Sequence, residues 1–254
     1  MGVERRSGDL SGARFVDADL RGARFARSDL SGVVMRGVQL DGADIDAPWL
    51  SEADSSLRVN GVEVAPLVEA ELDRRFPGRG QRRATDPDGL RAAWTAVERT
   101  WAGTLGRVAG MPPGTVDVSV DGEWSFAQTL RHLIMATDTW LGRAILGIEQ
   151  PYHPIGQPNL EYESDGYDMT VFAAAPPSYA QVLAVRADRL TMVRDFLATI
   201  GPSELDAERA NPWAPEHPET VRSCLQVILG EEWEHHRYAV RDLDALDARP
   251  APPA

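Results

Sequence analysis

The chain has 254 residues, which is enough for one large domain or for two smaller domains that each bury a core. It contains no lysine and a single cysteine, so a Schiff-base lysine, a P-loop lysine, an internal disulfide and a cysteine-based metal cluster are all excluded. The formal charge of −13 falls mainly on residues 86–254, where 13 arginines face 25 acidic residues, and this balance argues against nucleic acid as a partner.

The amino terminus, MGVERRSGDL, is polar and charged. It has no apolar core of the kind found in signal peptides, and no apolar run in the chain approaches 18 residues. We therefore expect a cytoplasmic protein with no membrane partner.

Residues 8–47 repeat every five positions. A small residue precedes most of the large apolar ones by two positions, and the large ones are Leu10, Phe15, Leu20, Phe25, Leu30, Met35, Leu40 and Ile45. A period of five fits neither a helix nor a flat strand, but it suits a solenoid in which each side sends one side chain inward. The run SGARFVDADLRGARF resembles a pentapeptide-repeat protein. That resemblance implies a right-handed, four-sided β-helix of two coils over residues 1–50.

The next segment supplies a cap and a connector, assigned to residues 51–85. Asn60-Gly61 within LRVNGVEVAPLVEAELDRRF predicts a hairpin followed by a short helix, and residues 77–89 are interpreted as a linker. A stack of two coils is a poor folding unit by itself, so we expect this cap, the following domain or a second subunit to cover its exposed end.

From about residue 86 to 254 the apolar period becomes helical. It predicts four helices, near 89–109, 126–147, 178–200 and 219–247, the second starting with a capping box of Ser125 and Gln128. The predicted fold class is therefore mixed and multidomain, a short quadrilateral β-helix followed by an all-α four-helix bundle. The connection of about 30 residues between the second and third helices is rich in aromatic residues, and we expect it to shape a pocket at the open end of the bundle; these residues are Tyr152, Tyr162, Tyr167 and Phe172.

The fourth helix carries the sequence EEWEHH at positions 231–236. Residues four apart share a helix face, so Glu231 with His235, or Glu232 with His236, offers one oxygen and one nitrogen to a metal. His132 is the histidine of the second helix and supplies a third donor from a facing helix. His153 and His217 lie in predicted loops and are interpreted as surface or packing residues. Cys224 lies in an apolar stripe and is interpreted as a buried core residue.

Residues 90–247 resemble the DinB-like superfamily of metal-binding four-helix bundles. The resemblance rests on the pair of ligands four apart on the last helix and on the pattern W-S-x-x-x-x-L-x-H-L, here Trp124, Ser125, Leu130, His132 and Leu133. The branch with mycothiol-dependent maleylpyruvate isomerase combines one histidine with Glu-x-x-x-His, and that match implies Glu231 and His235 as ligands. The His-His-Arg run of three-histidine members implies Glu232 and His236 instead. We predict His132, Glu231 and His235 as the ligands, because a glutamate ligand belongs to the first branch, and keep Glu232 with His236 as the alternative.

A donor set of one carboxylate and two imidazoles suits Zn²⁺, with Ni²⁺ or Fe²⁺ as alternatives, and leaves a coordination position open. The resemblance implies a thiol S-transferase or isomerase that uses a thiol such as mycothiol on a small electrophilic substrate. Arg237 and Arg241 follow the ligands and are candidate catalytic residues that would bind a carboxylate of either molecule. The alternative is a non-enzymatic metal- or ligand-binding module in which the repeat engages a protein partner or a second copy of the chain.

Overall fold

The computed structural model describes residues 8–50, 55–159 and 161–249. The chain divides into two compact units, Met1–Asp46 and Ala47–Ala254.

The first unit is built from a regular series of turns. Every tenth residue from Leu10 to Leu40 begins a four-residue turn, which is closed by a main-chain hydrogen bond of 3.0 Å, as from Ala13 N to Leu10 O. The third residue of each turn is a glycine with φ between 71 and 74°; these glycines are Gly12, Gly22, Gly32 and Gly42. Midway between the turns the chain bends through a second left-handed residue, such as Asp17 at φ 51°. The five-residue period of the sequence therefore becomes a ten-residue period of the backbone.

The predicted right-handed β-helix is not visible in this unit. Residues 8–46 contain no strand, and their large apolar side chains are 48–63% exposed at every fifth position from Leu10 to Ile45. A stack of two coils gives each coil a single neighbour, so about 40 residues enclose little apolar surface. The β-helix inferred from the repeat stays a prediction.

The second unit starts with the predicted hairpin. Strands β1 (Arg58–Val59) and β2 (Val62–Glu63) pair antiparallel around Asn60-Gly61, whose φ angles of 51° and 82° are those that such two-residue turns require. Helix α1 (Ala65–Arg75) follows, with a proline in its first turn.

Four longer helices confirm the helical interpretation of the carboxy-terminal part. They are α2 (Pro87–Ala109), α3 (Phe126–Thr137), α4 (Tyr179–Thr199) and α5 (Val221–Asp247). The capping box of Ser125 and Gln128 starts α3 as predicted, and Ser178 with Gln181 forms another at α4. A short hairpin of β3 (Glu208–Arg209) and β4 (Glu219–Thr220) leads into α5. None of the helices in the described ranges combines the length and hydrophobicity needed to cross a membrane.

The four helices pack as a bundle. Both α2 and α3 lie against α4 and α5, and the space between them is filled by large buried side chains such as Trp94, Leu130, Ile228 and Trp233. Helix α3 continues as π-helical turns over Asp138–Ile145, a feature that the apolar period does not reveal. The buried carboxylate of Asp138 lies at this junction and pairs with Arg189 of α4.

The segment interpreted as a linker is instead part of the packed unit. Residues Arg79–Arg83 form a 3₁₀ turn that lies against α2 and α5, and Arg79 is only 2% exposed. The Arg79 guanidinium binds Glu69 at 2.7 Å and Asp73 at 2.8 Å, both in α1, and Glu234 of α5 at 3.0 Å. The prolines and glycines of this segment led to the interpretation as a linker. In the structure, three carboxylates that tertiary packing brings together hold the segment in place through Arg79.

We expect Arg79→Ala to destabilise the protein by about 3 kcal/mol, because it removes the buried cation that Glu69, Asp73 and Glu234 share, and Arg82 remains beside only the first two of these carboxylates. Chemical denaturation followed by circular dichroism measures the loss. Arg74→Ala is the matched control, since Arg74 pairs with Glu71 in solvent and should leave the free energy of unfolding almost unchanged. Equal effects of the two substitutions would contradict the bridging role of Arg79.

The same cluster predicts a pH dependence. Burial opposes the ionisation of Glu69, but hydrogen bonds and charges from Arg79 and Arg82 outweigh it and lower the pKa of Glu69 from 4.5 to about 2. A carboxylate with a depressed pKa in the folded state stabilises the protein above its unfolded pKa and loses that contribution as the pH falls towards 2. The stability difference between the wild type and Arg79→Ala should therefore shrink between about pH 5 and pH 2 in denaturation curves.

Candidate metal centre

Helices α3 and α5 bring three potential ligands together. His132 of α3 faces Glu231 and His235 of α5, and one donor atom from each lies within 4.8 Å of the others. His132 Nε2 is 3.5 Å from Glu231 Oε2, and the imidazole centroids are 4.7 Å apart. We call these three residues the metal triad. Its side chains are 14%, 32% and 15% exposed in chain order, so the cluster opens to solvent on one side.

Both histidines of the triad have one ring nitrogen committed to the main chain. His132 Nδ1 lies 3.0 Å from the carbonyl oxygen of Gln157, and His235 Nδ1 lies 3.0 Å from the carbonyl oxygen of Glu231. A carbonyl oxygen can only accept, so each Nδ1 carries the proton and donates it. For His132 this leaves the Nε2 lone pair, 3.5 Å from Glu231 Oε2, for a ligand, as in many metal sites. His235 Nδ1 also lies 3.2 Å from Glu231 Oε2.

The local electrostatics favour a carboxylate on Glu231 beside a neutral ring of His235. Burial lowers the pKa of His235 to about 4, against the opposing charge of Glu231, so the ring is neutral near pH 7. Burial also disfavours the charged form of Glu231, but the adjacent rings of His132 and His235 hold the pKa of this carboxyl below its usual value. These are the protonation states that metal coordination requires.

The alternative register points away from the triad into the core. Glu232 is 1% exposed and forms an ion pair with Arg186 of α4, itself 3% exposed. His236 Nε2 lies 2.8 Å from Thr104 Oγ1 of α2, and its ring is packed edge-on against Trp101. Glu232 and His236 are therefore not brought near His132, because successive residues on a helix point about 100° apart.

The donor geometry of the triad fits a divalent cation. Ligand atoms of a tetrahedral zinc ion with bonds of about 2 Å lie about 3.3 Å apart, close to the 3.5 Å between His132 Nε2 and Glu231 Oε2. One carboxylate oxygen and two imidazole nitrogens suit Zn²⁺, and also Ni²⁺ or Fe²⁺. The triad could therefore hold a divalent metal with at least one coordination position left for another molecule.

Trp124 covers one side of the triad. Its ring centroid is 4.6 Å from that of His132 and 6.1 Å from that of His235, to which it is nearly parallel. The sequence contains Trp124 in the pattern before α3, but spacing alone assigns it no role. The carbonyl of Gln157 has no sequence signal at all, because any residue can supply a main-chain oxygen.

The two candidate catalytic arginines form a layer beyond the triad. Arg237 binds Glu234 at 3.0 Å, and Arg241 binds Asp242 at 2.8 Å and Glu123 at 2.5 Å. Both guanidinium groups lie over the ring of Tyr238, which in turn meets the His235 ring edge-on. The arginines are thus one side chain removed from the triad, and a role towards substrate stays a prediction.

The other predicted site features are mainly structural. In the long loop, Tyr152 and Tyr162 are buried with Met135 of α3, and Tyr167 and Phe172 pack around them as an aromatic cluster. The loop therefore has a small core of its own, and its contact with the triad is the carbonyl of Gln157. Cys224 is buried in the main core.

Two family models match the chain. The model described as the DinB superfamily matches residues 96–239, which is more than half of the chain. Pentapeptide repeats match in eight copies over residues 9–45. No curated protein and no solved structure matches the chain significantly. Both family resemblances are confirmed, whereas the mycothiol-dependent branch and metal binding stay predictions.

The neighbouring glutamates of α5 should respond in opposite ways to the same isosteric change. Glu231→Gln should reduce bound metal well below one ion per chain with little effect on stability, because a charged ligand becomes a neutral amide. Glu232→Gln should keep the metal but cost about 3 kcal/mol of stability, because Arg186 is left buried without its counter-charge.

Elemental analysis of untagged protein and chemical denaturation test this pair of predictions. Metal lost with Glu232→Gln and retained with Glu231→Gln would move the ligand set to the other register.

Proposed function

This chain belongs to the DinB superfamily, and on that premise we propose that its bundle is a metal-dependent enzyme that uses a low-molecular-weight thiol on a small electrophilic substrate. The superfamily includes metal-dependent enzymes. The reaction is an S-transfer or an isomerisation, with mycothiol as the type of thiol. Zn²⁺ is the preferred metal.

The observation that carries this proposal is the metal triad itself. Two helices hold three donors within 4.8 Å, and the partial exposure of the triad gives another molecule access to them. Three protein ligands with an open position are typical of catalytic rather than structural zinc sites. When bound, such an ion lowers the pKa of a coordinated thiol so that it is a thiolate near neutral pH.

The residues of the chain would then bind and orient the reactants. Glu231 contributes a negative charge that favours a cation, and His132 and His235 contribute neutral nitrogens held by their Nδ1 hydrogen bonds. Trp124 offers an apolar wall beside the open side of the triad. We keep Arg237 and Arg241 as candidates for binding a carboxylate, which would have to compete with their present acidic partners.

The chain lacks a reactive thiol of its own in this region. Cys224 is fully buried, and burial raises the pKa of its thiol to about 11. A thiol of this kind is unreactive towards electrophiles near neutral pH. Thiol chemistry at the triad therefore requires a thiol from solution, in agreement with a cosubstrate such as mycothiol.

The competing proposal is a module that binds a metal or ligand without turnover, with the pentapeptide repeat as its protein interaction surface. It shares the triad but predicts neither transfer of a thiol nor isomerisation of an electrophile. A protein that holds stoichiometric metal and leaves both thiol and electrophile unchanged would favour this second function.

We expect zinc-loaded protein to accelerate the loss of free thiol from a mixture of mycothiol with a chloronitroarene, in which the thiolate displaces chloride, or the isomerisation of maleylpyruvate, in which the thiol adds, leaves again and is regenerated. His132→Ala should abolish the acceleration, because it removes the ligand supplied by α3. Cys224→Ala should leave the rate unchanged when the assay is run well below the melting temperature of the variant, because the Cys224 thiol is buried and protonated. Thiol titration and product chromatography measure the outcome, and a rate that depends on Cys224 but not on His132 would refute the proposed chemistry.

A further inference from the structure

Arg131 precedes the triad histidine on α3 and binds the main chain of the long loop at three points. Its Nε donates to the carbonyl oxygen of Ile155 at 2.7 Å, and its Nη2 donates to that of Gly156 at 3.4 Å. The carbonyl oxygen of Arg131 accepts from the amide of Gln157 at 3.1 Å. Side chain and main chain of one residue therefore hold residues 155–157 against α3.

This attachment places the acceptor that orients His132. Gln157 takes part in two main-chain hydrogen bonds: its amide donates to the carbonyl oxygen of Arg131, and its own carbonyl oxygen accepts from His132 Nδ1 at 3.0 Å. A main-chain oxygen is positioned by the path of its backbone and not by a rotamer. Fixing residues 155–157 therefore fixes the hydrogen bond that leaves Nε2 of His132 directed to the triad.

The contact between loop and helix is close. A Cβ atom on Gly156 would lie 3.1 Å from the carbonyl oxygen of His153, 3.1 Å from the Phe172 ring and 3.4 Å from Cβ of Met135. A second anchor lies nearby, where the amide of His153 donates to the buried Asp138 at 2.8 Å. The loop is thus bound to α3 and its extension at two points, and Arg131 provides the one next to the triad.

The environment of Arg131 sets it apart from the ion-paired arginines of the bundle. Within the described residues its guanidinium hydrogen bonds go to carbonyl oxygens and to no carboxylate, and burial lowers its pKa. Partial burial of a guanidinium without a counter-charge costs free energy. The donors of this guanidinium are satisfied by loop carbonyls, which indicates a role in positioning the loop.

We propose that Arg131 is a positioning residue of the metal centre, which holds the carbonyl of Gln157 on His132 and so couples metal occupancy to the order of residues 153–157. This inference rests on the proposed function, because it requires that the triad bind a metal. By reciprocity, a loop that favours the metal must itself be stabilised by the metal. A purely structural anchor would show neither effect.

The first test is zinc affinity. Metal-free wild type, Arg131→Met, Arg131→Lys and Arg143→Met are titrated with Zn²⁺ in competition with a chromophoric chelator, and thermal unfolding of each metal-free protein is recorded. Arg131→Met should weaken zinc binding by about 10- to 100-fold, the usual effect of losing a partner that orients a ligand. Arg131→Lys should recover part of the loss, since an ammonium group still donates to carbonyls.

Arg143→Met is the matched control, because Arg143 is exposed on the π-helical extension of α3 and its loss changes the charge equally. It should leave zinc affinity within about twofold of wild type, as expected for a distant solvated charge. Unchanged zinc affinity in Arg131→Met together with a lowered melting temperature would reduce Arg131 to a structural anchor and overturn the proposal.

The second test needs no variant and covers the case in which Arg131→Met fails to fold. Hydrogen exchange of wild-type protein is compared with and without Zn²⁺, and the amides of His153 and of residues 155–157, above all that of Gln157, should exchange more slowly with metal. Wild type that binds zinc without slowing these amides would refute the coupling alone. Wild type that does not bind zinc would refute the proposed function and the coupling together.

Discussion

The packing of α3 against α5 is the contact on which the chemistry of the bundle depends. His132 reaches Glu231 and His235 only because these two helices lie side by side and present those faces to one another. One position further along α5, the same residue types serve stability, since Glu232 pairs with Arg186 and His236 binds Thr104. A rotation of about 100° per residue is enough to separate a partly exposed donor set from a buried ion pair.

The buried pair of Glu232 and Arg186 also links α5 to α4 beside the candidate ligand Glu231. An ion pair of this kind contributes little net stability compared with an apolar pair, but removing one partner is costly. The bundle therefore tolerates few changes of register between these helices. The donor set is held by the same packing that forms the core, which suits a centre whose ligands must keep their spacing.

Irregular segments complete the second unit at two places. The 3₁₀ turn at Arg79–Arg83 joins α1 to α5 through a buried guanidinium, and the long loop is seated on α3 through Arg131 and the aromatic cluster. Neither segment is held by the regular hydrogen bonds of a helix or sheet; arginine side chains bind each of them to its neighbouring helices instead. The loop differs from a mobile lid because it encloses its own small core and orients a triad histidine.

The sequence by itself determined the helices, the hairpin turn at Asn60-Gly61, the five-residue repeat and the set of candidate ligands, because these depend on local periodicity and on side-chain chemistry. The apolar stripe of α5 passes between Glu231 with His235 and Glu232 with His236, so the periodicity did not decide which pair faces His132, and the choice of the first pair rested on the family resemblance. Only the tertiary structure decided that question, together with the burial of Arg79 and the hydrogen bond from His132 to the carbonyl of Gln157. Each of these depends on which face of a helix meets a distant segment, or on a main-chain atom that every residue shares. The physical reason is that a helical pattern defines an apolar face but not the neighbour that this face will meet.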